Sequence, residues 1–272
     1  MKVAVLLATY NGEKYLVAQL DSLLNQTYDN FLVYYHDDGS TDSTLSILHQ
    51  YECDFPGKFK EVDAPLHQGP KENFMSLLQA VDADYYMFCD QDDVWNSDKI
   101  EKTLERMLSI EEECPSKPVL IHTDLEVVDS NLNTIHDSFW KWKRFHVDIS
   151  KHFNFMPQGH IVTGCTVMIN NSCKEYALPI SPNAMMHDEW LGLIAAKYGR
   201  CENLKYASMK YRQHENNVCS AGGNVGKSRY IRWWIDFYSW YRLQRPLLDD
   251  IEYGSGFKFL LYKVLYSFVR LV

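Results

Sequence analysis

The chain has 272 residues and a mass of 31.8 kDa, with 46% hydrophobic and 23% charged residues. These proportions suit a globular enzyme and exclude wholesale disorder, collagen-like repetition and a coiled coil. The formal charge of −9 is uneven: residues 227–272 hold eight basic and four acidic side chains, so they carry +4 and leave −13 on residues 1–226. A body that acidic excludes nucleic acid as a general partner, because phosphates require a basic surface.

The seven cysteines are scattered and odd in number, with no C-x-x-C pair. That usage argues against a disulfide framework or structural zinc and for a reducing compartment. The apolar run Val3–Leu7 is as long as a buried strand and lacks a small-residue cleavage site, so it is not read as a signal peptide. No stretch of about 18 apolar residues exists to span a bilayer. A cytoplasmic protein is expected, resting on the inner face of the membrane if its tail binds there.

In chain order, Val3–Ala8 reads as a buried strand and Glu13–Gln26 as a helix with Leu16, Leu20, Leu23 and Leu24 on one face. Phe31–Tyr35 is a strand, and Asp42 is placed to cap a helix through Leu45, Ile47 and Leu48. Phe59–Val62 is a short strand, and Pro70 suits the first turn of a helix over Lys71–Val81. Tyr85–Cys89 is a strand and Asp98–Ile110 a helix. This succession predicts an α/β fold with a doubly wound, mostly parallel sheet flanked by helices, whose ligands bind at the carboxyl ends of its strands. Further strands are expected at Val119–His122, Ile161–Ile169 and Leu204–Tyr206, and a helix at His187–Lys197. The loop Cys219–Gly226 separates a body of residues 1–226 from a helical tail of residues 227–272.

The polar residues gather at those strand ends. Asp90-Gln91-Asp92-Asp93 sets three carboxylates within four positions, a repulsion that either solvent or a cation must relieve. Hard oxygen ligands with room for phosphates suit Mn2+ or Mg2+ bound to a nucleotide; a solvated turn ahead of the next helix is the plainer reading. In Asp37-Asp38-Gly39-Ser40-Thr41-Asp42, a carboxylate on a tight turn can accept from a ribose or base, or cap the following helix. Thr9-Tyr10-Asn11-Gly12 offers a ring to stack on a base, or is an ordinary strand-to-helix turn. Gly69-Pro70-Lys71-Glu72-Asn73 opens a helix whose N-terminus suits a diphosphate.

Taken together, Ala8–Gly12, Asp37–Asp42 and Asp90–Asp93 resemble the motifs of glycosyltransferase family 2, inverting enzymes of the GT-A fold. Asp90–Trp95, His187-Asp188-Glu189-Trp190 and Tyr211–Asn217 are similar to the bacterial rhamnosyltransferase-like subgroup. The resemblance covers about Met1 to Gly226 and implies a nucleotide-sugar donor, with dTDP-rhamnose favoured over a UDP-hexose or UDP-N-acetylhexosamine. It implies a glycan or lipid-linked acceptor in cell-surface polysaccharide synthesis. By the same resemblance Thr9, Tyr10 and Asp38 hold the base, Lys71 and Asn73 lie near the ribose or diphosphate, and Asn11 and Gly69 belong to the same nucleotide-sugar site. Asp90 opens the D-x-D motif, Asp92 meets ribose and metal, and Asp93 meets metal. Asp188 matches the catalytic base, with Glu189 able to share or take that role. His214 falls in the loop that closes over the donor, on the diphosphate, on the metal, or in a structural role.

The implied reaction is a single displacement, in which a carboxylate takes the acceptor hydroxyl's proton as its oxygen attacks the anomeric carbon. On residue pattern alone, Asp188 reads as a helix N-terminal charge favoured by the dipole, and only the resemblance makes it the base. In the tail, Lys263, Ser267 and Arg270 share one helical face of an otherwise apolar segment. That segment is expected either to lie apolar face down in the membrane interface, or to pack against the body or a second subunit. Two other functions compete: a nucleotidyltransferase, which would normally show a glycine-rich basic loop after the first strand, and a non-catalytic scaffold. The oligomeric state is left open.

Overall fold

The structure, a computed structural model, describes residues 1–159, 161–215 and 230–269, with side chains given for all but 230–239 and 268–269. Its frame is a nine-stranded sheet: β1 (Val3–Thr9), β2 (Phe31–Asp37), β3 (Phe59–Glu61), β4 (Tyr85–Asp90), β5 (Val94–Trp95), β6 (Val119–Val128), β7 (Thr134–His136), β8 (Val167–Asn170) and β9 (Arg200–Arg212). The strands run in the order β3-β2-β1-β4-β8-β6-β9-β5, with β7 paired to β6. The pairs β3–β2, β2–β1, β1–β4 and β6–β9 are parallel, whereas β8 lies antiparallel between β4 and β6. The expected doubly wound, mostly parallel sheet is what the chain forms.

Helices α1 (Glu13–Leu24), α2 (Thr44–Asp54), α3 (Pro70–Ala80) and α4 (Lys99–Glu113) connect the first strands. Later come α5 (Phe139–Lys143), α6 (Asn171–Ala177), α7 (His187–Tyr198), α8 (Tyr230–Asp250) and α9 (Gly256–Val269). Successive side chains of a strand point to opposite faces, so β1 serves two cores. Ala4 and Leu6 join Leu77, Leu78, Leu191 and Ile194 on the α3/α7 side. Val3, Val5 and Leu7 join Leu16, Leu20, Ile100 and Leu104 on the α1/α4 side. Each fully buried leucine or isoleucine contributes about 1.5–3 kcal/mol.

Parallel register explains why the polar residues converge. Thr9 pairs with Asp37, and Ala8 with Asp90, so β1, β2 and β4 end together on one rim. Three strand expectations change, the first being Val119–His122, which lengthens to β6 at Val119–Val128. Ile161–Ile169 shortens to β8 at Val167–Asn170, because residues 164–166 form a tight 3-10 turn on which Gly164 donates to Asp188. Leu204–Tyr206 grows into the thirteen-residue β9, which pairs along β6 with register slips around Asp124.

The tail packs against the body. Leu247, Leu248, Ile251, Tyr253 and Phe259 are buried in the same core as Leu77 and Leu191. The polar edge of α9 is turned inward, Lys263 Nζ donating to Gln158 O at 2.9 Å, while Phe257, Leu261 and Leu265 face outward at 75%, 46% and 41% exposure. The loop Cys219–Gly226, and Arg270, lie outside the described residues.

Candidate active site

The rim of β1 and β2 is held by carboxylates that are themselves satisfied. Asp37 accepts from Thr9 Oγ1 at 2.9 Å, from Ser40 Oγ at 2.6 Å and from the Gly39 and Ser40 N–H groups. Asp38 accepts the Gln68 and Gly69 N–H groups at 2.9 and 2.8 Å, clasping the loop that leads into α3. Gly39 sits at φ +91°, and a Cβ there would stand 2.5 Å from the His67 ring, so the turn requires glycine.

Tyr10 projects from the end of β1 with 53% exposure, its N–H donating to Gln91 Oε1 while Gln91 Nε2 donates to Tyr10 O, both at 2.8 Å. This reciprocal pair ties the first turn to the acidic turn after β4. Gly12 leaves the space for it, since a Cβ would lie 2.2 Å from Gln91 Oε1. Asn11, at φ +49°, receives Thr41 N–H on its Oδ1 and donates its own N–H to Ser40 Oγ.

The acidic turn is where charge is least relieved. Asp93 is fully buried; its Oδ1 accepts Arg212 N–H at 3.0 Å, and its Oδ2 has no partner among the described residues. Asp92 Oδ2 lies 2.8 Å from His214 Nε2, whose ring rests on Tyr15 at 4.8 Å. Oxygens of Asp90 and Asp93 and the Cys165 sulfur all lie within 4.8 Å of one another. Desolvation, followed by the neighbouring carboxylates, pushes the Asp90 and Asp93 carboxyls above the usual range. Lys99, fully buried at the start of α4, offsets part of this charge; its Nζ donates to Cys165 O at 2.6 Å and sits 3.7 Å from the Trp95 ring. Burial lowers the Lys99 ammonium to about 8, against the opposing pull of the cysteines and carboxylates around it. A divalent cation fits this donor set: hard oxygens, an unpartnered buried carboxylate oxygen, and net negative charge in a desolvated place.

Asp188 comes from a distant stretch of chain. At the first turn of α7 it accepts Gly164 N–H at 2.9 Å and Glu189 N–H at 2.8 Å, and its charge is near enough to Asp90 to push that carboxyl up. Glu189 is otherwise engaged, accepting Met185 N–H at 2.9 Å and Gln244 Nε2 from α8 at 3.1 Å. His187 is wedged between Phe74 and Phe88 at ring distances of 4.4 and 5.0 Å.

Thr9, Tyr10, Asn11, Asp38, Gly69, Asp90, Asp92, Asp93, Asp188 and His214 thus line one region at the strand ends or brace it. Two expected donor contacts belong to its walls. Asn73 is buried against His36, Oδ1 to Nδ1 at 3.1 Å, and Lys71 Nζ donates to Ala184 O at 3.0 Å. Lys99, Arg212 and Cys165 were not singled out from sequence. Arg212 carries a visible signal, as part of the Tyr211–Asn217 motif, and its Nε holds Asp92 O at 2.7 Å. Lys99 and Cys165 carry none, because only tertiary packing aims them at the acidic turn.

A doubly wound sheet whose strand-end carboxylates face a helix-borne aspartate defines an α/β ligand-binding class of protein. Residues 4–177 match the family model described as Glycosyl transferase family 2, so the chain belongs to glycosyltransferase family 2. It is 28% identical to the dTDP-rhamnosyl transferase RfbG of Shigella flexneri, over 92% of this chain and 89% of that one. It is 32% identical to the putative teichuronic acid biosynthesis glycosyltransferase TuaG of Bacillus subtilis, over 39% of this chain and 42% of that one. Its fold is shared with the mannosyltransferase PcManGT of Pyrobaculum calidifontis, solved with GDP-Man and Mn2+: TM-score 0.63, 15% identity, covering 98% of this chain and 69% of that one. S. aureus TarS, solved with UDP-GlcNAc, gives TM-score 0.59 and 21% identity over 91% of this chain and 67% of that one. These GT-A neighbours match the fold expected from the motifs, and family membership sets the nucleotidyltransferase reading aside.

Proposed function

We propose that this protein is an inverting, metal-dependent glycosyltransferase that moves a sugar from a nucleotide-sugar donor to a glycan or lipid-linked acceptor in cell-surface polysaccharide synthesis. The observation that carries it is Asp188, delivered by α7 to within electrostatic reach of Asp90 at the end of β4. Two backbone N–H groups fix its carboxylate, leaving further lone pairs to accept a proton from an acceptor hydroxyl as that oxygen attacks. Glu189, spent on Met185 and Gln244, is the weaker candidate for that proton.

Tyr10 offers its exposed face to the base, while Asp38 and the Asn11 turn frame the nucleoside side of the site. Asp92 and Asp93, with Asp90 beside them, would hold Mn2+ or Mg2+. When bound, such an ion offsets the negative charge that develops on the leaving diphosphate. His214, already on Asp92, lies where it can meet the same group. A dTDP-rhamnose donor is favoured because the match to RfbG runs along nearly the whole of both chains.

No described helix is long and apolar enough to cross a membrane. The outward stripe Phe257, Leu261 and Leu265, in a tail carrying +4, suits instead peripheral contact with an anionic bilayer surface. The deciding experiment is a calorimetric screen of nucleotide sugars with and without Mn2+. Tight, metal-dependent binding of dTDP-rhamnose is expected. Binding of a UDP-sugar alone would move the donor assignment, and binding of no nucleotide sugar would refute the function.

A further inference from the structure

A second concavity lies away from the strand-end site and contains none of its residues. It encloses about 770 Å³ between α5, the segment that follows it and the middle of β9. Its chemistry comes from one stretch of chain, Phe139-Trp140-Lys141-Trp142-Lys143-Arg144-Phe145-His146, where aromatic and basic side chains interleave. The buried Trp140 and the half-buried Phe145 and Tyr206 line it, Lys102 Nζ standing 4.3 Å from the Tyr206 ring centroid.

The charges around it do not cancel. Asp124 is consumed within the fold, accepting Ser138 Oγ and the Trp140 and Leu125 N–H groups. Asp137, exposed on the lining, lies 3.2 Å from His136, and Lys205 is taken by Asp148 at 3.1 Å. Lys141 and Arg144 are exposed on the lining, and neither has a carboxylate partner among the described residues. Arg144 holds this place at φ +53°, ψ +47°, the left-handed conformation that closes α5. Two unspent cations on the wall of an aromatic-lined groove, in a body of net charge −13, form a receptor for an anion carried on a ring.

We propose that this groove binds an anion-bearing saccharide, one that stacks a sugar ring on Phe145 or Tyr206 and sets a carboxylate or phosphate on Lys141 and Arg144. Resting on the transferase reading, this names the acceptor's class as an acidic rather than a neutral glycan. The reach is suitable: Ala207 on the groove wall and Arg212, whose N–H meets Asp93, lie five residues apart on β9. At strand rise that is about 17 Å, the span of a short oligosaccharide.

The test titrates three probes, a glucuronic-acid oligosaccharide, a phosphorylated oligosaccharide and a neutral maltooligosaccharide, into the native protein and the Lys141→Gln/Arg144→Gln variant. Both substitutions are at exposed positions and leave the core untouched. At least one anionic probe should bind the native protein, with the stronger arm naming carboxylate or phosphate. The neutral probe should bind at least tenfold more weakly. The double variant should lose about tenfold in affinity for the anionic probe, from two partly exposed charge pairs. Phe145→Ala should weaken that probe further at unchanged salt dependence. Equal affinity for the neutral probe, no binding of either anionic probe, or an unaffected double variant would each overturn the proposal. Nucleotide-sugar binding measured on the same samples separates the two levels: retained donor binding leaves the transferase reading standing, and its absence removes both.

Discussion

Replacing Asp93 by Asn should make the metal-free protein more stable while abolishing its response to Mn2+. Asp93 is wholly buried, its Oδ2 has no partner among the described residues, and the charges of Asp92 and Asp90 press on it. Asparagine keeps the oxygen that accepts Arg212 N–H and puts an amide donor where the orphaned oxygen stood. Relief of one unpartnered buried polar atom and of the like-charge repulsion is worth about 1–3 kcal/mol. For a chain of this size that is about 2–5 °C in Tm. The linkage sign gives an independent check. A carboxyl whose folded pKa is raised destabilises the fold as pH climbs from its ordinary value near 4 toward the raised one. The native protein should therefore lose more stability than the variant as pH rises through that window. Scanning calorimetry with and without Mn2+ reads both effects. A variant less stable than native, or one that still gains stability from Mn2+, would refute the account of this turn.

Asp188→Asn should cut transfer about 10²- to 10⁴-fold with donor affinity nearly unchanged, because the amide keeps the Gly164 contact but cannot take a proton; full activity in a steady-state assay would remove Asp188 as the base. Burial holds His122 neutral, with its pKa lowered to about 3, so stability is lost as pH falls below the ordinary histidine value. Between pH 6.5 and 4.5 the loss from this group should be about 2 kcal/mol, and urea titrations of His122→Gln should show a correspondingly shallower acid slope. Gly12→Ala should push Gln91 away from Tyr10, since the new Cβ would stand 2.2 Å from Gln91 Oε1. Two hydrogen bonds are then forfeited, and nucleotide affinity by calorimetry should fall about three- to tenfold with little change in Tm.

Much of this protein is legible along the chain because its causes are local. The apolar runs at Val3–Thr9, Phe31–Asp37 and Tyr85–Asp90 can be satisfied only as strands covered on both faces, and Pro70 and Gly69 mark the entry to α3. Parallel register then obliges the polar residues that end these runs to share a rim, so the acidic clusters and Tyr10 could be assigned to one site. Residue order also separated an acidic body from a basic, aromatic tail.

Tertiary structure decided what depends on partners far away in sequence. Lys99 is held at the acidic turn because the 3-10 turn before β8 and strand β9 bring Cys165 and Met209 onto its ammonium. Asn73, which the resemblance puts near the ribose or diphosphate, is claimed by His36 in the fold. The tail's amphipathicity could be read either way until the body supplied Gln158 for Lys263 and a core for Phe259, leaving the Phe257–Leu265 stripe outside. Periodicity places a side chain on a face of its own helix or strand; which surface that face meets is fixed by packing alone, and the charge balance of the site follows from it.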